Sequence, residues 1–216
     1  MIEELLEPDV IAVEAFGDVP GEPIFPGEEA LLANSVPARR QEFVTARRCA
    51  REALGRLGFS PAPIGTGPRR EPLWPHGVAG AITHCVGYRA AAITTKLAAI
   101  GIDAEPNGPL PPDVADQVTT AGEPAMLAEL AGAYPSIPWG RVLFSAKESV
   151  YKAWYPLTGR WLGFEEAVLT IDPAARTFRA RLLTRGERMD GGVPLTGVAG
   201  RFLVTDRLIL TAVTVE

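Results

Sequence analysis

The segment GIDAEP, Gly101 to Pro106, ends an apolar run with two carboxylates, Asp103 and Glu105, one residue apart. Alternate residues of a strand share a face, so both acids project from the same side. Side-by-side like charges cost energy unless something positive lies between them. A further acid comes from FSAKESVYKAW, Phe144 to Trp154, where Glu148 and Lys152 stand one helical turn apart. Ser145-x-x-Glu148 has the form of a capping box, which would make Glu148 a structural end-cap. However, Trp139, Val142, Leu143, Ala146 and Val150 carry one apolar stripe further upstream. Ser136 and Pro138 make the better helix start, and the box then falls mid-helix.

Glu148 and Lys152 lie opposite that stripe. As an exposed i,i+4 pair they would contribute only about 0.3–0.5 kcal/mol. Phe144, Tyr151 and Tyr155 flank the same side, which points instead to a sandwiched helix whose charges need partners. Three carboxylates from a strand end and a helix make an oxygen-only site suited to Mg²⁺ or Mn²⁺, which keep positions open for water and phosphate oxygens. The only histidines are His76 and His84, so zinc is a poor match. Such a cation would offset the Asp103–Glu105 repulsion and hold a phosphorylated ligand.

The elements that must position these groups follow from periodicity and punctuation. IAVEAF reads as a strand and GEEALLAN as a brief helix, with Asn34, Ser35 and Pro37 punctuating the approach to the next element. Pro37 to Leu57 is helical, its stripe running through Phe43, Ala46, Ala50, Ala53, Leu54 and Leu57, and Gly58 stops it. A Pro/Gly-rich loop precedes three short strands near 79–83, 89–95 and 98–105. Four prolines between Pro106 and Pro112 mark a linker or crossover. Beyond it lie a helix near 124–131, the long helix with Glu148, and strands AVLTID, TFRARLL, VAGRFLVT and RLILTAVTV, the last two a hairpin around Asp206–Arg207. Each half thus supplies a long helix and an antiparallel meander. The expectation is an α+β fold of two similar subdomains related by a pseudo-twofold axis, 1–106 and 107–216.

Segment 39–56 carries six arginines against two glutamates. Composition allows a solvated helix face there, while arginine's rigid donor fork also suits phosphate. In ITHCVG, Thr83 and His84 sit at a strand end beside a turn; His84 is either a satisfied structural residue or a ligand contact. Cys85 reads as a packing residue, and Arg69–Arg70 alone as solvated charge. Neither GxGxxG nor a P-loop lysine motif is present.

The ordered set ARRxxF…ARxCAR, REPLWPHGxxGAITHCxGY, GIDAEP and FSAKESVYKAW resembles the Sfp-type 4′-phosphopantetheinyl transferases, in particular their actinobacterial and enterobactin-synthase-type branch. The likeness spans roughly Pro37 to Phe164. It implies transfer of the phosphopantetheine group from coenzyme A to a serine of an apo acyl or peptidyl carrier protein. Asp103, Glu105 and Glu148 match the family's magnesium ligands, and Glu148 also its base. Lys147 and Lys152 match lysines near the diphosphate, Thr83 and His84 coenzyme A phosphate contacts, and Arg39 and Arg47 arginines that grip the nucleotide end. The Arg69–Arg70 loop lies where the family binds adenine and phosphate. Ala81 and Thr66 depart from the pattern, Ala81 standing where many relatives have Ser and Thr66 where a near relative has Lys, a charge that Arg69 or Arg70 would supply. The rival reading is another metal-dependent phosphoryl-transfer enzyme or a hydrolase of a phosphorylated small molecule.

With 47% hydrophobic and 22% charged residues the composition is globular. A net charge of −5 argues against a nucleic-acid partner, and no apolar run approaches a membrane span. Two cysteines and a polar, acidic N-terminus give a cytoplasmic protein without a disulfide framework as the expectation. Two similar halves would supply the cleft within one chain, hence a monomer.

Overall fold

The computed structural model describes residues 1–33, 35–120 and 122–216. Asn34, part of the expected punctuation, lies outside the described residues. A 3-10 turn at Ile2–Leu5 leads into β1 (Ile11–Ala15), and a second at Glu29–Leu32 stands where the brief helix was expected. Helix α1 (Pro37–Arg56) begins with proline at its first position, where no intrahelical N–H is needed, and Gly58 at φ 89° follows its end. The small hairpin β2 (Gly65–Thr66) and β3 (Pro72–Leu73) orders the loop before β4 (Ala79–Cys85), β5 (Tyr88–Thr94) and β6 (Ala99–Pro106). Helices α2 (Pro112–Val118), α3 (Glu123–Ala133) and α4 (Trp139–Thr158) precede β7 (Ala167–Asp172), β8 (Thr177–Gly186), β9 (Leu195–Val204) and β10 (Leu208–Val215).

The strands form two principal antiparallel sheets, β1-β5-β4 and β6-β10-β9-β8-β7. The architecture is therefore α+β, a long helix on an antiparallel sheet in each half, although the sheets are unequal. The Pro-rich segment 106–112 does not divide them. Strand β6, expected with the N-terminal subdomain, pairs with β10 through Asp103↔Thr211 and Ile209↔Glu105. The prolines end β6 and, because proline is tolerated in a helix's first turn, start α2; the chain passes between the sheets in the β5–β6 turn.

Three apolar clusters follow from this layering. Helix α1 covers the first sheet through Cys49, Ala50, Ala53 and Leu54 against Ala91 and Ile93. Helix α4 covers the second through Val142, Leu143, Ala146, Val150 and Trp154 against Phe178, Phe202 and Ile209. Between the halves, Ile2 and Leu5 of the N-terminal turn pack with Tyr88, Ile102 and Leu210. No helix among the described residues is long and apolar enough to cross a membrane.

Close approach of α4 to β6 depends on Gly101. A methyl group there would coincide with the Ser149 carbonyl oxygen and press on the Ala153 backbone nitrogen. Backbone cannot yield as a flexible side chain can, so the helix must shift. Gly101→Ala is expected to lower unfolding free energy by about 2–3 kcal/mol, read from denaturant midpoints.

Candidate active site

Helix spacing aligns four polar residues of α4, Arg141, Ser145, Glu148 and Lys152, at steps of three or four, hence on one face. That face meets the C-terminal end of β6. Asp103 is 5% exposed, and both its oxygens are engaged. Lys152 Nζ donates to Oδ1 at 2.8 Å and to the Ile102 carbonyl at 3.0 Å. Ser145 Oγ donates to Oδ2 at 2.8 Å. Thr83 of β4 donates to Oδ1 at 3.4 Å while accepting the Ala104 N–H at 3.0 Å. Thr211, opposite Asp103 in β10, stands 3.0 Å from Ser145 Oγ and donates to the Ser145 carbonyl.

Glu105 turns to Arg141, which donates from Nη1 to Oε2 at 2.8 Å. Glu148 is half-buried and accepts no hydrogen bond among the described residues. Burial pushes its carboxyl above the ordinary range; Lys152 opposes this, and Asp103 and Glu105 add to it. Burial and then Asp103 likewise raise Glu105, with Arg141 opposing. The three acids sense one another across the cleft. They do not converge at ligand spacing: no group of three His, Cys, Asp or Glu side chains does so among the described residues. Asp103 is held by Lys152 and Ser145, and Glu105 by Arg141.

A cavity of about 240 Å³ opens beside Glu148 and Lys152, bounded by Arg69, Arg70, Trp74 and Tyr151. A second, of about 150 Å³, lies on the other side of Glu148 and Tyr151, against Trp161 and Phe164. The Tyr151 hydroxyl is buried without a partner among the described residues. Arg69 stacks 5.3 Å from the Trp161 ring centre. Ala81 forms part of the larger cavity's wall.

The remaining predicted residues divide. Arg39 reaches the His84 ring, and Glu42 lies 3.5 Å from both Arg39 and His84. Arg89, a residue the sequence did not single out, is 3.6 Å from Glu42 and paired with Asp18. Arg47 is buried, donating to the Ile64 carbonyl at 3.1 Å and to Thr66 Oγ1 at 2.9 Å, with its guanidinium 3.7 Å from the Phe43 ring centre. Those bonds pin the β2 loop instead of facing an open ligand site. Lys147 also departs from expectation. Its side chain is 1% exposed, and Nζ uses three donors on the Val118 carbonyl, Glu123 and the Phe164 carbonyl at 2.7–2.9 Å. Neighbours on a helix diverge by about 100°, so Lys147 turns from the larger cavity beside Glu148 and Lys152 and contributes only to the wall of the smaller one. Thr83 is equally enclosed and acts on Asp103.

Ser145 and Arg141 escaped the sequence reading. The signal was there in their i−3 and i−7 spacing from Glu148, once Ser145 is freed from the capping box. The Cys85 thiol is pushed up to about 11 by burial and then Glu105, which suits a packing residue better than a nucleophile.

A half-buried carboxylate, a partnered lysine and flanking arginines meet in a cleft between two helix-on-sheet halves, a charge pattern suited to a phosphorylated ligand. Residues 27–94 match the family model of the 4'-phosphopantetheinyl transferase N-terminal domain, and residues 99–191 that of the 4'-phosphopantetheinyl transferase superfamily. The chain belongs to the 4'-phosphopantetheinyl transferase superfamily. It is 50% identical to the 4'-phosphopantetheinyl transferase Svp of Streptomyces mobaraensis over 220 residues, covering 100% of this chain and 89% of that protein. Npt of Nocardia iowensis is 46% identical (99% of each chain), and PptT of Mycobacterium tuberculosis 44% (95% of this chain, 92% of that one). The two family models meet at the β5–β6 turn, where the sheets divide.

Burial, followed by Arg39, pushes the His84 imidazole down to about 4. The folded chain therefore holds it neutral, whereas the unfolded chain protonates it below about pH 6.5. Stability supported by the neutral ring is complete above that value and drains as pH falls toward 4. Between pH 7 and 5 the native chain should lose about 1 kcal/mol more than His84→Gln, the ring's partial exposure being allowed for. Denaturant titrations at both pH values measure the difference.

Proposed function

We propose that the chain transfers the 4′-phosphopantetheine group of coenzyme A to a serine of an apo acyl or peptidyl carrier protein, releasing 3′,5′-adenosine bisphosphate. The observation that carries this reading is Glu148 and Lys152 presented side by side to Asp103 in the cleft. Asp103, Glu105 and Glu148 sense one another without standing at ligand spacing among the described residues; drawn together by a cation they would hold Mg²⁺, with Mn²⁺ the alternative. The donor set is oxygen-only, and among the described residues Glu148 lacks a hydrogen-bond partner and the Glu105 side chain accepts only at Oε2. When bound, the cation supplies neutralisation of the diphosphate charge.

This chain's own groups supply the rest. Glu148, its proton affinity raised by burial, takes the serine proton. The serine oxygen bonds to the β-phosphorus as the bond from that phosphorus to the bridging oxygen breaks. The bridging oxygen departs with adenosine bisphosphate, its growing charge met by Lys152. Arg39 and His84 bind the 3′-phosphate end, with Arg47 bracing the nearby β2 loop and Arg69 and Arg70 bordering the nucleotide cavity. The smaller cavity beyond Tyr151 receives the pantetheine arm. Lys147 supports that cavity's wall through the Phe164 carbonyl. Both faces of the cleft come from one chain, which supports action as a monomer, and the donor and acceptors point to a cytoplasmic setting. Carriers of fatty-acid, polyketide or siderophore assembly are the candidate acceptors.

Glu148→Gln and Asp103→Ala should reduce carrier modification by about 10²-fold or more, since a positioned base typically contributes 10²–10⁴-fold. Intact-mass spectrometry of apo-carriers with coenzyme A and Mg²⁺ reads the rate, and circular dichroism checks folding. Near-native turnover in both variants removes the assigned site. In the absence of a carrier, a transferase leaves coenzyme A intact; release of adenosine bisphosphate would instead identify a hydrolase.

A further inference from the structure

Arg141 lies behind the acidic cluster, with three of its nitrogens engaged. Nη1 donates to Glu105 Oε2 at 2.8 Å, Nη2 to the Pro109 carbonyl at 2.7 Å and Nε to the Gly108 carbonyl at 3.3 Å. Two of these three bonds reach backbone of the Pro-rich linker that joins β6 to α2. The guanidinium is a rigid planar fork, so fixing two arms on linker carbonyls fixes the third. The third arm holds one oxygen of Glu105. Arg141 itself is set by α4, two turns before Glu148, so the linker, Glu105 and Glu148 share one rigid support.

We propose that Arg141 is a positioning residue for the acidic site: it clamps Glu105 to the linker by one oxygen and leaves the other for a divalent cation. This rests on the reading of Asp103, Glu105 and Glu148 as the cation's ligands. A partner behind a ligating carboxylate orients it, and loss of such partners typically costs about 10–100-fold in metal affinity. The clamp also couples two distant properties. Whatever steadies Glu105 against Arg141 steadies the linker at Gly108–Pro109, and by linkage the reverse holds.

The test is Mn²⁺ binding to the full chain, followed by electron paramagnetic resonance without coenzyme A, together with amide hydrogen exchange across 107–118 with and without Mn²⁺. Arg141→Gln should weaken Mn²⁺ binding by about 10–100-fold. It should also abolish the protection that Mn²⁺ confers on the linker amides. Arg141→Lys keeps the charge without the fork and should show an intermediate loss. If Arg141→Gln does not fold, Arg141→Lys carries the comparison. Asp103→Asn is the control and should lose Mn²⁺. If Arg141→Gln melts lower but binds Mn²⁺ within twofold of the native chain while Asp103→Asn does not, the clamp is overturned and the ligand assignment stands. If the native chain takes up no Mn²⁺, or Asp103→Asn binds it normally, both fall.

Discussion

The buried carboxylate of Asp103 is the interaction on which the rest of the structure depends. A charge at 5% exposure is tolerable only when its oxygens are filled, and three elements fill them: α4 through Lys152 and Ser145, β4 through Thr83, and β10 through Thr211 behind Ser145. These elements belong to different halves of the chain. Satisfying one side chain therefore draws the first sheet, the second sheet and the long helix together along a single seam. Gly101, two residues earlier on the same face of β6, removes the side chain that would hold α4 away. With the helix that close, Lys152 reaches a backbone carbonyl and a carboxylate at once.

The same principle separates charges that build the molecule from charges available to a substrate. Lys147 with Glu123, Arg51 with Glu28, and Arg47 on the Ile64 carbonyl are enclosed and hydrogen-bonded. Moving any of them would strand a buried partner, a loss of several kcal/mol by the usual measure of about 3–5 kcal/mol for a broken buried pair. Glu148 has no such partner among the described residues. Arg69 and Arg70 border a cavity. Arg39 bonds the His84 ring on a partly exposed rim, and Glu42 stands 3.5 Å from both. Groups beside open volume can exchange their present neighbours for a ligand at little cost, and Glu148, Arg69 and Arg70 line one cavity.

Much of this was legible in the sequence because it follows from local periodicity. The stripe from Trp139 to Val150 placed α4 and demoted the capping box, and strand alternation put Asp103 and Glu105 on one face. Strand β8 shows the alternation that one covered and one open face produce, whereas β10 is buried along nearly its whole length. What failed depended on tertiary partners. Lys147 is adjacent to Glu148 in a shared motif, yet only Glu123, 24 residues away, decides that it turns inward. Arg47 lies two turns from Arg39, but the Ile64 carbonyl and Phe43 claim it. Strand β6 was allotted to the first half because the prolines follow it, whereas pairing with β10 is a long-range choice that no local signal reports. Proline ends one element and can begin another, so the linker also concealed α2.

Recognition by the family and chemistry at the site constrain different things. Glu148 as a base would serve a water molecule as readily as a serine hydroxyl, since both present an O–H of similar reach to the same oxygen. Nothing in a raised carboxylate pKa distinguishes them. Discrimination must come from placement: a hydroxyl delivered on a folded carrier arrives with its orientation already set by the docked surface, and such preorganisation can be worth several kcal/mol, up to about 7–11 in the best intramolecular cases. Water gains none of that. A rigid seam is therefore more useful here than a stronger base, because the advantage of a docked serine survives only if the receiving carboxylate is held still. With Glu148 as the receiving carboxylate, the seam built on Asp103 would bear on that choice by holding α4 in place.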